Sequence, residues 1–312
     1  MTSNKKNQDK LIVITGPTAS GKTSLAAELA YDIDSEIISA DSRQIYKGMD
    51  IGTGKDLDDY IVNQKSIPYY LIDILDPKQN YSVYDFQKDF YNAYQKIRLK
   101  NKVPILCGGT GLYIESTLLD YDLSGKPAPN QNLRNSLENL NRDDLLKELH
   151  SISNQKQRTS LLVETRKQII RNIEILKSSV DVNGFKMNPM NDDAIVFATN
   201  IDREVLRQKI KQRLIDRINE GMIAEVEGLI DNGLPIERLD YFGLEYKFIA
   251  QYLKNKISKD LLITSLTTAI RKFAKRQRTW FRRMEKRGIN INWIEPHDYD
   301  KVKTLIYKYI ES

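Results

Sequence analysis

The first strong feature of the hydrophobic pattern is an unbroken apolar run, Leu11-Ile12-Val13-Ile14, ended by Thr15-Gly16-Pro17. A short apolar run closed by turn residues predicts a buried strand, and the pattern of Ser24-Leu25-Ala26-Ala27-Glu28-Leu29-Ala30 behind it predicts a helix. Further strands are predicted over 35–40, 69–75, 103–107 and 194–199, where apolar and β-branched residues cluster between polar breaks. Between them, Phe86, Phe90, Tyr94 and Ile97 recur at i, i+4, i+8 and i+11, one face of a helix over 85–101. From Tyr121 the pattern changes. A Pro/Gly/Ser-rich link over 124–130 leads into polar helical periodicities with no convincing strand, so residues 122–190 read as a small helical insertion or flap. Beyond the last strand come long helical patterns over 203–231, closed by Asn232-Gly233, then 244–255 and 259–287. The expected architecture is α/β: a parallel sheet core of the phosphate-loop type from residues 1–121 and 191–312, interrupted by the 122–190 insertion.

Composition narrows the classes. A chain of 312 residues with 40% hydrophobic content can bury a large core, and no apolar run approaches membrane-spanning length. Residues 1–7 carry no apolar signal core, so a cytoplasmic protein without a membrane partner is expected. The single cysteine, Cys107, lies in a strand pattern and reads as a core residue, and only His150 and His297 are present, which argues against histidine triads and metal clusters. The net charge of +6 is unevenly placed: residues 271–287 hold nine basic residues against Glu285, a local +8 that leaves about −2 elsewhere. Such concentration suits a polyanion, and Phe273, Trp280 and Phe281 among the charges predict that one face of this helix packs inward.

The candidate chemistry gathers at predicted strand ends. Gly16, Pro17, Thr18, Ala19, Ser20, Gly21, Lys22 and Thr23 fit the phosphate-loop pattern G-x-x-x-x-G-K-[ST] between a strand and a helix. Backbone N–H groups and the helix dipole would hold a di- or triphosphate there, with Lys22 bridging phosphates and Thr23 ligating Mg2+. The second strand ends at Asp41-Ser42-Arg43-Gln44, making Asp41 a candidate base or magnesium contact. Asp73 reads as structural because Ile74 and Leu75 continue its apolar run. The strand at 103–107 opens into Gly108-Gly109-Thr110-Gly111, where Thr110 has a hydroxyl to offer a bound group.

Taken together, Gly16–Thr23, Ala40-Asp41-Ser42-Arg43-Gln44-Ile45-Tyr46, Gly48-Met49-Asp50-Ile51-Gly52-Thr53-Gly54-Lys55, Gly108-Gly109-Thr110-Gly111-Leu112-Tyr113 and Ala274-Lys275-Arg276-Gln277-Arg278-Thr279-Trp280-Phe281-Arg282 resemble the tRNA dimethylallyltransferases, in order and over nearly the whole chain. The resemblance implies transfer of a dimethylallyl group from dimethylallyl diphosphate to N6 of the adenine 3′ of the anticodon, in tRNAs reading codons that begin with U. It implies Asp41, Thr110 and Arg213 as catalytic residues. It further implies contacts to the anticodon stem-loop from Asp41, Ser42, Arg43, Gln44, Thr110, Arg134, Lys167, Gln168, Ile169, Ile170, Arg171, Lys275, Arg276 and Gln277. This chain departs from the family pattern where Gln168 replaces an arginine and Glu245 stands where glycine is common, which implies altered RNA contacts at both places.

The chemistry of the residues agrees with that resemblance. Diphosphate is a leaving group whose developing charge a phosphate loop and Mg2+ would neutralise, and a carboxylate suits the proton lost by an aryl amine as it bonds. Two other activities fit parts of the sequence: prenylation of free AMP or ADP, and a phosphate-loop kinase or ATPase. The basic segment and the insertion favour tRNA over the first, and the lack of a convincing second acidic strand end counts against the second. A monomer is expected.

Overall fold

Leu11, Ile12, Val13 and Ile14 have no solvent exposure because β1 (Leu11–Thr15) lies inside a parallel sheet, flanked on both edges and covered on both faces. The structure, a computed structural model, describes residues 10–119, 121, 123, 130–161, 163–178, 187–295 and 298–312. It divides into two compact units, Met1–Tyr121 with Met187–Ser312, and Asp122–Lys186.

In the first unit the strands β2 (Ile37–Ser39), β3 (Ile61–Val62), β4 (Lys65–Ser66), β5 (Tyr69–Tyr70), β6 (Ile105–Gly108), β7 (Ala194–Thr199) and β8 (Ile291–Ile294) follow β1. The main sheet runs β5-β2-β6-β1-β7-β8 with every pairing parallel, and β3 and β4 form a separate antiparallel hairpin. Parallel pairing needs crossovers, and α1 (Lys22–Asp32), α2 (Val83–Arg98) and α3 (Gly111–Leu118) supply them in the first half. The aromatic stripe predicted over 85–101 faces inward: Phe86 and Phe90 are fully buried, and Phe86 stacks on Tyr113 of α3 at 4.0 Å between ring centres.

The second half is helical. Here α8 (Arg203–Asn219), α9 (Met222–Asp231), α10 (Leu244–Leu253) and α11 (Lys259–Lys286) share an apolar core with Ile45, Tyr46 and Met49, while α12 (Tyr299–Glu311) packs with β1 and α1 residues. Two sequence expectations are corrected. The strand predicted over 69–75 stops at Tyr70, because Leu71 and Asp73 take left-handed backbone conformations at φ 64° and 55°. The single helix predicted over 203–231 breaks at Gly221, whose φ of 105° ends α8 and caps α9. Neither β8 nor α12 was anticipated. Asp73 is structural as expected: the fully buried Lys55 bonds to its carboxylate, to Asp50 at 2.6 Å and to the Tyr46 carbonyl at 2.8 Å.

The second unit holds α4 (Gln131–Leu137), α5 (Arg142–Ile152), α6 (Gln155–Ser160) and α7 (Arg166–Lys177) around a small core of Leu137, Leu145, Leu149, Ile169 and Ile173. The link at 124–129 lies outside the described residues.

Glu225 of α9 organises the turn that follows Met49. Its carboxylate accepts from the N–H groups of Asp50 at 2.8 Å, Ile51 at 2.6 Å and Gly52 at 3.1 Å, and from the Tyr246 hydroxyl at 2.7 Å. Charge-assisted bonds of this kind are worth more than neutral ones, and Glu225→Ala removes them together. The variant should lose about 2 kcal/mol of stability by denaturant unfolding; a change within about 0.5 kcal/mol would show that water replaces the carboxylate without cost.

Candidate active site

Register brings the loops together. Thr15 is level with Gly108 and Ala198, and Ser39 with Cys107, so β1, β2, β6 and β7 all deliver their carboxyl ends to one sheet edge. Along that edge lies a cavity of about 880 Å³ lined by Thr18–Thr23, Asp41–Gln44, Gly109–Leu112, Arg213, Arg217, Glu245, Phe273, Arg276, Gln277 and Trp280, among others. All of these belong to the first unit.

The phosphate loop is set by close packing. A side chain at Gly16 would strike the Thr199 hydroxyl, which instead bonds to Ser20 Oγ at 2.6 Å. Gly21 takes φ 81° as the residue before α1, so the first turn of that helix faces the cavity. Lys22 lies in the wall; burial pulls its pKa below the usual lysine value of 10.5, while Cys107 and Asp41 act in the opposite sense. Cys107 is buried behind it, its thiol pushed up to about 12 by burial, which suits the core role read from the sequence.

Asp41 and Thr110 line the same cavity and are linked through the neighbours of Asp41. Asp41 Oδ1 accepts from the Arg43 N–H at 3.0 Å, and Thr110 Oγ1 accepts from the Ser42 N–H at 3.0 Å and lies 3.3 Å from Ser42 Oγ. The Thr110 N–H in turn donates to the Ala40 carbonyl at 3.1 Å. Thr110 therefore holds the backbone on both sides of Asp41. Arg213 enters from α8 and pairs with Asp56, which Arg217 also contacts at 3.2 Å. Burial disfavours the Asp56 carboxylate, but Arg213 and Arg217 outweigh it and hold the group below the ordinary value. A side chain at Gly54 would collide with Arg217, so that glycine admits the guanidinium. Asp56 and Arg217 were not singled out from sequence; no local pattern marks them, because their contact joins residues 161 apart.

The expected RNA-contacting residues fall into different surroundings. Arg43 lies over the Tyr241 ring at 5.4 Å, Arg276 over Phe273 at 5.7 Å, and both line the cavity. Lys275 is exposed on α11. Gln44 and Gln277 have amides engaged within the protein: Gln44 accepts from Ser39 Oγ and donates to the Gly54 carbonyl, and Gln277 bridges Thr18 and Gly109. In the second unit Arg134 and Arg171 both pair with the buried Glu174, Gln168 caps α7 with Thr165, and Lys167 is exposed. Ile169, expected in the RNA strip, is instead fully buried in that unit's core, because five consecutive helical residues wrap past the solvent face. Ile170 is half-buried beside it.

Magnesium can be judged against the donors present. Among the described residues no group of three or more His, Cys, Asp or Glu side chains could hold a metal. Thr23 does line the cavity, and Mg2+ characteristically takes few protein ligands together with substrate phosphates and water. The donors fit an ion that arrives with a diphosphate.

Comparison with known proteins finds relatives over nearly the whole chain. The family model described as IPP transferase matches residues 44–284, and that described as isopentenyl transferase matches residues 9–74. The chain is 48% identical over 299 residues to tRNA dimethylallyltransferase 2 of Phocaeicola vulgatus, covering 95% of this chain and 96% of that protein. It is 47% identical over 289 residues to tRNA dimethylallyltransferase 2 of Bacteroides fragilis, covering 91% and 92%. The crystal structure of the full-length tRNA isopentenylpyrophosphate transferase from Bacillus halodurans matches with a TM-score of 0.69 at 29% identity, over 97% of each chain. A eukaryotic dimethylallyltransferase acting on tRNA shares the fold, with a TM-score of 0.73 at 23% identity, over 96% of this chain and 77% of that one.

Glu245 reaches the same cavity from the start of α10, and burial raises its pKa above the usual 4.5. The folded protein then binds this proton more tightly than the unfolded chain, so stability falls as pH rises from about 4.5 towards the folded value. Glu245→Gln should raise the unfolding midpoint at neutral pH and change it little below about pH 4. Equal effects at both pH values would mean that the carboxyl ionises normally.

Proposed function

The chain belongs to the IPP transferase family, and from that membership we propose that it transfers a dimethylallyl group from dimethylallyl diphosphate to N6 of the adenine 3′ of the anticodon in tRNA. One observation carries the reading. A single cavity joins a phosphate loop, Asp41 with Thr110 bonded to the next residue, the half-buried Arg213 and the basic helix α11.

Gly16–Thr23 binds the diphosphate through backbone N–H groups and the N-terminal end of α1. Lys22, and Arg213 once exchanged from Asp56, face the oxygens on which negative charge grows as the allylic C–O bond breaks. Thr23 would hold Mg2+, which supplies further charge neutralisation when bound. The adenine is drawn out of its loop stack to reach Asp41, at an unstacking cost of a few kcal/mol, roughly, that contacts elsewhere must offset. Asp41 accepts the amine proton as the new C–N bond forms, and Thr110 keeps Asp41 in place through Ser42. Phosphate contacts are assigned to Arg43, Lys275, Arg276 and the basic residues of α7, with Phe273 offering a ring for stacking. No helix among the described residues is long and apolar enough to cross a membrane. With tRNA as the substrate, we assign the reaction to the cytoplasm, carried out by a monomer.

Mass spectrometry of anticodon stem-loop RNA after incubation with the protein, dimethylallyl diphosphate and magnesium tests the reading directly. A prenyl adduct on the adenine 3′ of the anticodon is expected, with Asp41→Ala slower by about 10²–10⁴-fold. Adduct on AMP alone would reassign the protein to the adenylate-modifying class, and no adduct on authentic tRNA would refute prenyl transfer.

Lys275→Ala and Arg276→Ala separate RNA attraction from chemistry. Each should raise the KM for RNA and lower the salt slope of binding by about 1 while kcat holds. An unchanged salt slope would remove that helix from the RNA contact.

A further inference from the structure

Gln277 occupies a position that RNA contact alone does not explain. It is 7% exposed on α11, between the exposed Lys275 and Arg276 on one side and the half-buried Arg278 on the other. Its Oε1 accepts from the backbone N–H of Thr18 at 2.9 Å, and its Nε2 donates to the Gly109 carbonyl at 2.9 Å. The partners fix the amide's orientation, since one offers only a donor and the other only an acceptor. Gly109 is shaped to this contact: a Cβ there would lie 2.6 Å from Gln277 Nε2.

We propose that Gln277 is a positioning residue that fastens the basic helix α11 to both reactant-holding loops, the phosphate loop at Thr18 and the Gly109–Thr110 loop. This rests on the prenyl-transfer reading given above. Through Gly109 it fixes Thr110, whose Oγ1 holds the Ser42 N–H beside Asp41. Through Thr18 it uses one N–H of the phosphate loop and so determines which loop donors remain for the anion. A helix that meets RNA through Lys275 and Arg276 is thereby coupled within two residues to the spacing between leaving group and base. Only a side chain with both a donor and an acceptor at this reach can make the link. A carboxylate keeps the Thr18 bond and sets a second oxygen against the Gly109 carbonyl, and a thioether loses both bonds.

The test compares Gln277→Glu, Gln277→Met and Gln277→Asn with the unmodified chain in prenyl transfer to anticodon stem-loop RNA, with thermal midpoints measured in parallel. At saturating RNA and donor, Gln277→Met should lose about 10–100-fold in kcat with its KM for RNA within about threefold of the parent. Gln277→Glu should lose as much at about pH 8 and recover as pH falls, because a protonated carboxyl can donate to the Gly109 carbonyl; Gln277→Met should not recover. Should either variant unfold, Gln277→Asn, which keeps the amide but draws it back by one methylene, must show the same loss of kcat. A raised KM for RNA with unchanged kcat would overturn the proposal and make Gln277 an RNA contact. Calorimetric binding of inorganic diphosphate needs no transfer chemistry and separates this proposal from the activity itself. Even if the unmodified chain transfers no prenyl group, Gln277→Met should change its affinity for diphosphate by about tenfold, and equal binding would overturn the coupling to Thr18.

Discussion

The pairing of β1 between β6 and β7 is the constraint from which the site follows. Parallel strands run the same way, so whatever chemistry follows their last residues is delivered to one edge. Thr15 adds a side-chain bond to the Gly108 carbonyl at 2.9 Å, fixing the phosphate loop against the Gly109–Thr110 loop before any ligand contributes. A slip of one residue would turn buried strand residues to the opposite face and separate Thr110 from Ser42. The short β2 depends on the same register, since Ala40 donates to the Cys107 carbonyl at 2.7 Å and so sets where Asp41 begins its turn.

Much of this was legible because local sequence and tertiary demand coincide. The apolar runs at β1, β6 and β7 are buried on both faces, the phosphate loop has glycines where packing requires them, and α2 has its aromatic stripe at helical spacing. The elements that differed are those in which a single backbone dihedral decides the outcome. Leu71 and Asp73 turn left-handed within an apolar run, and Gly221 divides an otherwise continuous helical period. Apolar periodicity does not carry that information.

Within the site, the residue types were legible but their partners were not. Arg213 reads as any helical arginine until Asp56, 157 positions earlier, is seen against it. Gln44 and Gln277 were expected to meet RNA because of the family resemblance, yet their amides serve backbone groups of neighbouring loops. Ile169 belongs to a basic strip in sequence and to a hydrophobic core in space. In each case the pattern identifies a surface or a helix, while the side chain's use depends on what another part of the chain brings beside it.

The electrostatics of the cavity point in one direction. Lys22 and Arg213 are both placed where partial burial disfavours their charged forms, and such groups gain from an anion bound beside them. Asp56 supplies part of the compensation for Arg213 and Arg217. The diphosphate of the proposed reaction carries more charge than one carboxylate, so it would compete for Arg213 while Arg217 stays against Asp56 and Gly54. The pair would thus be divided, one arginine going to the leaving group and the other holding the turn that lines the cavity. Preorganised charge of this kind acts most strongly where charge develops during a reaction, which in the proposed prenyl transfer is the departing diphosphate.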